Sequence, residues 1–197
     1  TAHSLNTHTA NLTTQNGGYV KAGATTRLYL GSFRASGSNT TEDSFGGASQ
    51  AGGKRYLWNN YNRVPRSLAV IDDADSWTWT TASYQQANAN AGNRVQIVLG
   101  LCIEPVKVQA QSLFSAGTLS GGGGVGLDTT TVNSATTFGA QTVASAVQNP
   151  IANFNTVLSN RGYHAINWLE FGGSACSFYG SGLVVGTRSG MVAEIFA

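Results

Sequence analysis

The chain has 197 residues, of which only 10 % are charged against a usual ~25 %, while its apolar content is an ordinary 41 %. A formal charge of +2, a pI of about 8.6 and only three lysines exclude the basic footprint of a nucleic-acid-binding domain. The most apolar run, Val95 to Ile103, is far shorter than the ~20 residues of a spanning helix, so membrane insertion is not expected.

Residues 1 to 18 are polar and aperiodic and end on the turn signal Gln15-Asn16-Gly17-Gly18; they read as an N-terminal arm or linker. The opening Thr1-Ala2-His3-Ser4 leads us to expect a processed chain or a piece of a longer polypeptide. Residues 19 to 197 read as a single β-sandwich domain.

Thr25 to Arg34 is the first strong strand, with Leu28 and Leu30 marking an inner face and Tyr29 the opposite one. Phe33 leaves that alternation unless Gly31 permits a bulge. Ala35 to Gly53 is a Ser/Gly-rich loop, and Arg55 to Tyr61 is aromatic and β-prone. Pro65 separates that segment from Ser67 to Ile71. Ser76-Trp77-Thr78-Trp79-Thr80-Thr81 alternates with period two, the pattern of a half-buried strand.

Asn93 to Ile103 is nearly continuous and apolar, as in a sandwich core, and Val106 to Phe114 alternates again. Gly121 to Gly124 reads as a flexible hinge, and Val125 starts another strand. Thr129 to Asn149 is polar and carries no clear period. Ile151 to Leu158 suits a short helix or a strand. Gly162 to Phe171, Cys176 to Gly180 and Gly190 to Phe196 close the sheets. Many short strands between Gly/Asn/Ser turns, without an amphipathic helix or a repeat, predict an all-β antiparallel sandwich of jelly-roll type.

The chemistry-bearing residues each have an ordinary structural explanation. Asp72, Asp73 and Asp75 offer oxygen ligands for a cation but lack EF-hand spacing, and they read as a solvated turn. Glu104, Asp128, Glu170 and Glu194 lie in or near strands, where a glycosidase pair would need to converge; outer-face placement is the expectation. His164 has no second histidine near it, since His3 and His8 lie in the arm, and it reads as a packed or interface residue. Cys102 and Cys176 read as buried thiols in preference to a disulfide. Gly121 to Gly126 lacks the Gly-Lys-Ser/Thr ending of a phosphate loop. No metal or cofactor is expected.

The candidate ligand or interface surface is aromatic. Trp58, Tyr61, Arg63 and Arg66 combine rings with guanidinium groups that can stack on sugars, line an interface or pack in the core. Trp77 and Trp79 share one face under strict alternation and suit either a platform or the core.

The order of several blocks resembles a family of tailed-bacteriophage and prophage virion proteins, described as tail-fibre, head-fibre or structural proteins. The blocks are Leu12 to Gly17 with Tyr19 to Arg27, Leu30 to Arg34, Thr41 to Ser44, Lys54 to Val64, Trp77 to Thr81 with Gln86 to Asn88, and Gly162 to His164. The most specific is Arg55-Tyr56-Leu57-Trp58-Asn59-Asn60-Tyr61-Asn62-Arg63-Val64, while residues from Gly121 to Asn149 match loosely. The resemblance implies a non-enzymatic homotrimeric knob or decoration domain on a virion surface. Its partners would be copies of itself and other virion proteins, such as a major capsid protein or a fibre adaptor. A receptor- or glycan-binding fibre tip is the alternative, and a polysaccharide-degrading enzyme a lesser one.

Overall fold

The computed structural model describes residues 11–47, 50–116, 121–138, 147–173, 176–182 and 189–197, with residues 116 and 138 described by backbone alone. Most of the expected arm, with His3 and His8, lies outside the described residues.

The described chain begins with an antiparallel meander of β1 (Leu12–Gln15), β2 (Gly18–Lys21) and β3 (Ala24–Leu28). Asn16 and Gly17, at φ of 51° and 79°, form the two-residue turn that returns β1 onto β2. The arm boundary expected at residue 18 therefore falls inside a hairpin. The same Asn-Gly pair that marked the end of the arm gives Leu12 to Gln15 a strand partner.

Five short elements follow: β4 (Gly31–Phe33), β5 (Asp43–Ser44), β6 (Gly46–Gly47), β7 (Lys54–Arg55) and β8 (Leu57–Asn59). The single strand expected over residues 25–34 breaks between β3 and β4, and its faces are inverted. Tyr29 turns inward and stacks on Trp58 with ring centroids 6.1 Å apart, while Leu28 and Leu30 are 54 % and 67 % exposed. Gly31 makes this possible, because a Cβ there would lie 2.2 Å from the Trp58 carbonyl oxygen.

The body is built from β9 (Pro65–Ile71), β10 (Ser76–Trp79), β11 (Tyr84–Gln86), a 3-10 turn at Ala87–Ala89, β12 (Arg94–Leu99), β13 (Val106–Gln111) and β14 (Leu113–Ala116). It continues through β15 (Gly121–Leu127), β16 (Thr136–Phe138), β17 (Val147–Gln148), β18 (Ile151–Thr156), β19 (Gly162–Gly172), β20 (Cys176–Tyr179) and β21 (Gly190–Phe196). Pro65 opens β9, where the strand needs no ladder N–H from it. Ile151 to Thr156 resolves as a strand.

Two six-stranded sheets enclose the core. One runs β11-β19-β12-β7-β5 with β15 on the other edge of β19, and the other runs β16-β18-β13-β21-β9-β6. Val95, Ile97, Leu99, Ile166 and Trp168 from the first pack with Leu68, Val70, Val108, Ala110, Met191, Ala193 and Ile195 from the second. This is the antiparallel sandwich expected from the sequence, with parallel pairing among the described residues confined to β7 on β12 and β6 on β9. A third, four-stranded sheet, β10-β20-β14-β17, holds a smaller core of Phe114, Cys176 and Phe178. Asp72 to Asp75 between β9 and β10 and Ser112 between β13 and β14 are corners at which the chain crosses into it.

The stretch expected as a glycine hinge is β15, a strand buried from Gly121 to Gly126. Glycine is needed there for space. A Cβ on Gly121 would lie 2.5 Å from the Phe114 ring, and one on Gly126 would lie 2.2 Å from the Thr129 carbonyl oxygen. Backbone pairs with β19 along its length and large neighbouring side chains fill the room that missing Cβ atoms leave.

Candidate functional site

Two buried carboxylates form the densest polar cluster. On β19, period two places Glu170 in phase with Ile166 and Trp168, so it points to the interior and is 0 % exposed. On β9 the same period carries Leu68 and Val70 on to Asp72, also 0 % exposed. The expectations of an outer-face Glu170 and a solvated Asp72 are thus both overturned. Each acid continues a core-facing row and is met there by donors rather than water. Asp73 and Asp75 are exposed, as a turn requires.

Glu170 Oε1 accepts from Gln85 Nε2 at 2.6 Å, its cross-strand neighbour on β11. Oε2 accepts from Trp77 Nε1 at 2.5 Å and from the Asn88 backbone N–H at 3.2 Å. Asp72 Oδ1 accepts from Gln50 Nε2 at 2.8 Å and the Ala74 N–H at 3.0 Å. Its Oδ2 accepts from Asn88 Nδ2 at 3.0 Å and Asn93 Nδ2 at 2.6 Å. Asn88 thus ties the two acids together, with its backbone on one and its side chain on the other. It does so from a left-handed conformation, φ 53° and ψ 23°, which asparagine tolerates better than most residues.

Burial pushes the Glu170 carboxyl up to about 7; the donors from Trp77, Gln85 and Asn88 only partly oppose this, and the charge of Asp72 adds to it. A carboxyl that takes up a proton near neutrality has the acidity of a general acid. Here it is sealed from solvent and bonded to the fold through both oxygens.

His164 is also committed to structure. Its Nδ1 lies 2.8 Å from Asp128 Oδ2 and its Nε2 lies 2.9 Å from the Asn160 carbonyl. Burial opposes the charged ring, but the Asp128 carboxylate and the Asn160 carbonyl outweigh it and raise the pKa. With acceptors at both nitrogens, neither is available as a base or a metal ligand. Among the described residues no group of three or more His, Cys, Asp and Glu side chains could hold a metal ion. Cys102 and Cys176 form no disulfide. Cys176 is buried, whereas Cys102, expected to be buried, is only half-buried, and burial pushes its thiol up.

The six residues expected as a ligand or interface surface divide between interior and exterior. Trp58 is 2 % exposed and belongs to the main core. Arg63 caps it, with its guanidinium carbon 5.6 Å from the indole and Nη1 2.9 Å from Glu104 Oε1. Trp77 is half-buried, stacks on Phe178 at 6.2 Å and meets Trp168 edge-on at 6.2 Å. Trp79 packs against the smaller core and donates from Nε1 to the Ser83 carbonyl at 3.0 Å. Tyr61 and Arg66 face solvent. Trp58 is therefore core, while Trp77 and Trp79 are half-buried against the smaller core.

Exposed large apolar side chains include Leu28, Leu30, Phe33, Leu57 and Tyr61 around the β4–β8 ribbon, with Phe45, Ile103, Val132, Val147, Val157 and Val192 scattered elsewhere. Phe33 and Leu57 are direct cross-strand partners on the β4–β8 ribbon, opposite in facing to the Ser32–Trp58 pair that turns inward. Period two in Leu57-Trp58-Asn59 separates Leu57 from buried Trp58 and was the available signal. Comparison with protein-family models, with curated proteins and with solved structures finds no match to this chain.

Proposed function

We propose that the chain is a non-enzymatic structural module on the surface of a bacteriophage particle. It works through assembly into a homotrimer and attachment to another virion protein, such as the major capsid protein or a fibre adaptor. The use of its acidic residues carries the non-enzymatic part. Glu42, Asp43, Glu104 and Glu194 each face a Lys or Arg, and Asp128 faces His164. Asp72 and Glu170 are sealed inside. A hydrolase of polysaccharides needs two carboxyls open to one substrate at ~5–9 Å, and this distribution supplies structural contacts instead. The virion setting rests on the resemblance running from Leu12 to Asn93, and a low-charge, Thr/Asn/Gly-rich exterior suits an exposed particle protein.

The alternative of a glycan-binding fibre tip has Tyr61 and Arg66 in solvent, but Trp58 is buried and Trp77 and Trp79 are half-buried. Gold-labelled antibody on purified particles, with mass spectrometry for copy number, tests the main reading. Regularly spaced label at stoichiometric copy number is expected. Absence from purified particles, together with cleavage of a bacterial polysaccharide by the isolated chain, overturns it.

A further inference from the structure

We infer that the β4–β8 ribbon is the surface on which a second copy of this chain docks, Phe33 and Leu57 being its centre. The inference rests on the assembly part of the proposed function and names the surface that assembly uses. Three observations carry it.

The first is exposure. Leu28, Leu30, Phe33, Leu57 and Tyr61 are 54, 67, 65, 43 and 57 % exposed. Phe33 and Leu57 are direct cross-strand partners, so these two side chains lie side by side.

The second is the edge. Among the described residues β4 and β8 form a two-stranded sheet, so each strand has an outer edge with no described strand beside it. No Lys, Asp, Glu, Arg or Pro guards it between Leu28 and Phe33 or between Leu57 and Asn62. Such guards are the usual means of keeping an exposed edge from pairing. A charge-free strip meets no like charge on an identical strip, and a net charge of +2 leaves little long-range repulsion between copies.

The third is the neighbouring meander. β1 and β3 are almost wholly exposed, and among the residues of β1 to β3 only Val20 is buried. Val20 is buried and Leu12 and Tyr19 pack against the main core, so Leu28, next to the ribbon, is the large apolar side chain of the meander left in solvent.

Sedimentation velocity on the full chain from low to high micromolar concentration tests the inference. Wild type is expected to sediment as an oligomer. Phe33→Asp and Leu57→Asp each bring identical charges together and should weaken association at least about tenfold. Phe33→Ser should do so with less repulsion, and an unchanged melting profile at monomeric dilution shows that the variants fold. Variants that keep the wild-type mass overturn the inference, as does a wild type that stays monomeric. A monomer whose Phe33 and Leu57 are protected from hydroxyl-radical labelling overturns it in favour of cover by residues 1–10. Particle labelling is scored separately. Stoichiometric label with association through another surface sinks this inference and leaves the proposed function standing. Self-association through Phe33 in a chain absent from particles does the reverse.

Discussion

The sandwich body and the N-terminal ribbon are built from strands of similar composition yet differ in what they cover. In the body, alternation and burial coincide: Val106, Val108 and Ala110 are buried while Lys107 and Gln109 face out. In the ribbon, Leu28 and Leu30 face solvent and Tyr29 lies inside. Period two identifies two faces, but it does not say which face has a partner. In the body the opposing sheet supplies one. In the ribbon the large neighbour is the single indole of Trp58, and the aliphatic face is left over.

The largest effect should come from removing a side chain on which the body depends. Trp168 is 0 % exposed, and its Nε1 donates to Ser112 Oγ at 2.8 Å at the corner between sheets. Trp168→Ala should cost about 3–5 kcal/mol in denaturant unfolding, since it opens a cavity and leaves Ser112 without this donor. A cost below about 1 kcal/mol would mean that the sandwich does not lean on β19 as described.

Next is the buried acid. The Glu170 carboxyl is raised from 4.5 to about 7, so the folded chain holds a proton that the unfolded chain has released. Stability should therefore be highest below about pH 4.5 with respect to this group and fall by about 3 kcal/mol as pH rises to about 7. Glu170→Gln should flatten that slope, read from melts across the window. His164 acts with the same sign, because its raised pKa gives stability that is present below 6.5 and lost as pH rises through the folded value. Asp128→Asn should remove this second slope, which is small because the Asp128 side chain is 41 % exposed.

The buried acids also show what the sequence could and could not say. The fold class was legible because strand periods, Asn-Gly turns and the apolar run from Val95 are local signals. The phase of Glu170 with Ile166 and Trp168, and of Asp72 with Leu68 and Val70, was equally present. It was outweighed by the general rarity of buried acids. What was not visible were their donors: Gln50, Gln85 and Asn88 approach from distant segments, and only the folded chain places them. β15 failed for a related reason. Four consecutive glycines carry no side-chain pattern, so their burial is dictated by Phe114, Ser112 and Asn133 around them.

Gly121→Ala tests that reading of β15. Its Cβ would meet the Phe114 ring at 2.5 Å, so the strand or the ring must move, at about 1–3 kcal/mol. A true hinge would instead gain slightly from the same change, because alanine lowers the entropy of the unfolded chain. The sign of the shift in denaturation midpoint separates the two.

The smallest effect on stability is expected in the ribbon, and its smallness is informative. Phe33 is 65 % exposed and Leu57 43 %, so Phe33→Ser and Leu57→Ser remove less apolar area that folding of one chain buries than a core truncation does. Measured at dilutions where the chain is monomeric, each should cost about 1–2 kcal/mol. At concentrations where copies associate, the same substitutions should lower the melting temperature, because binding stabilises the folded state by mass action. A cost that is small when dilute and grows with concentration is the signature of side chains whose partner is another molecule. A cost that is large at every concentration would place Phe33 and Leu57 in the chain's own core and erase the difference between the two regions.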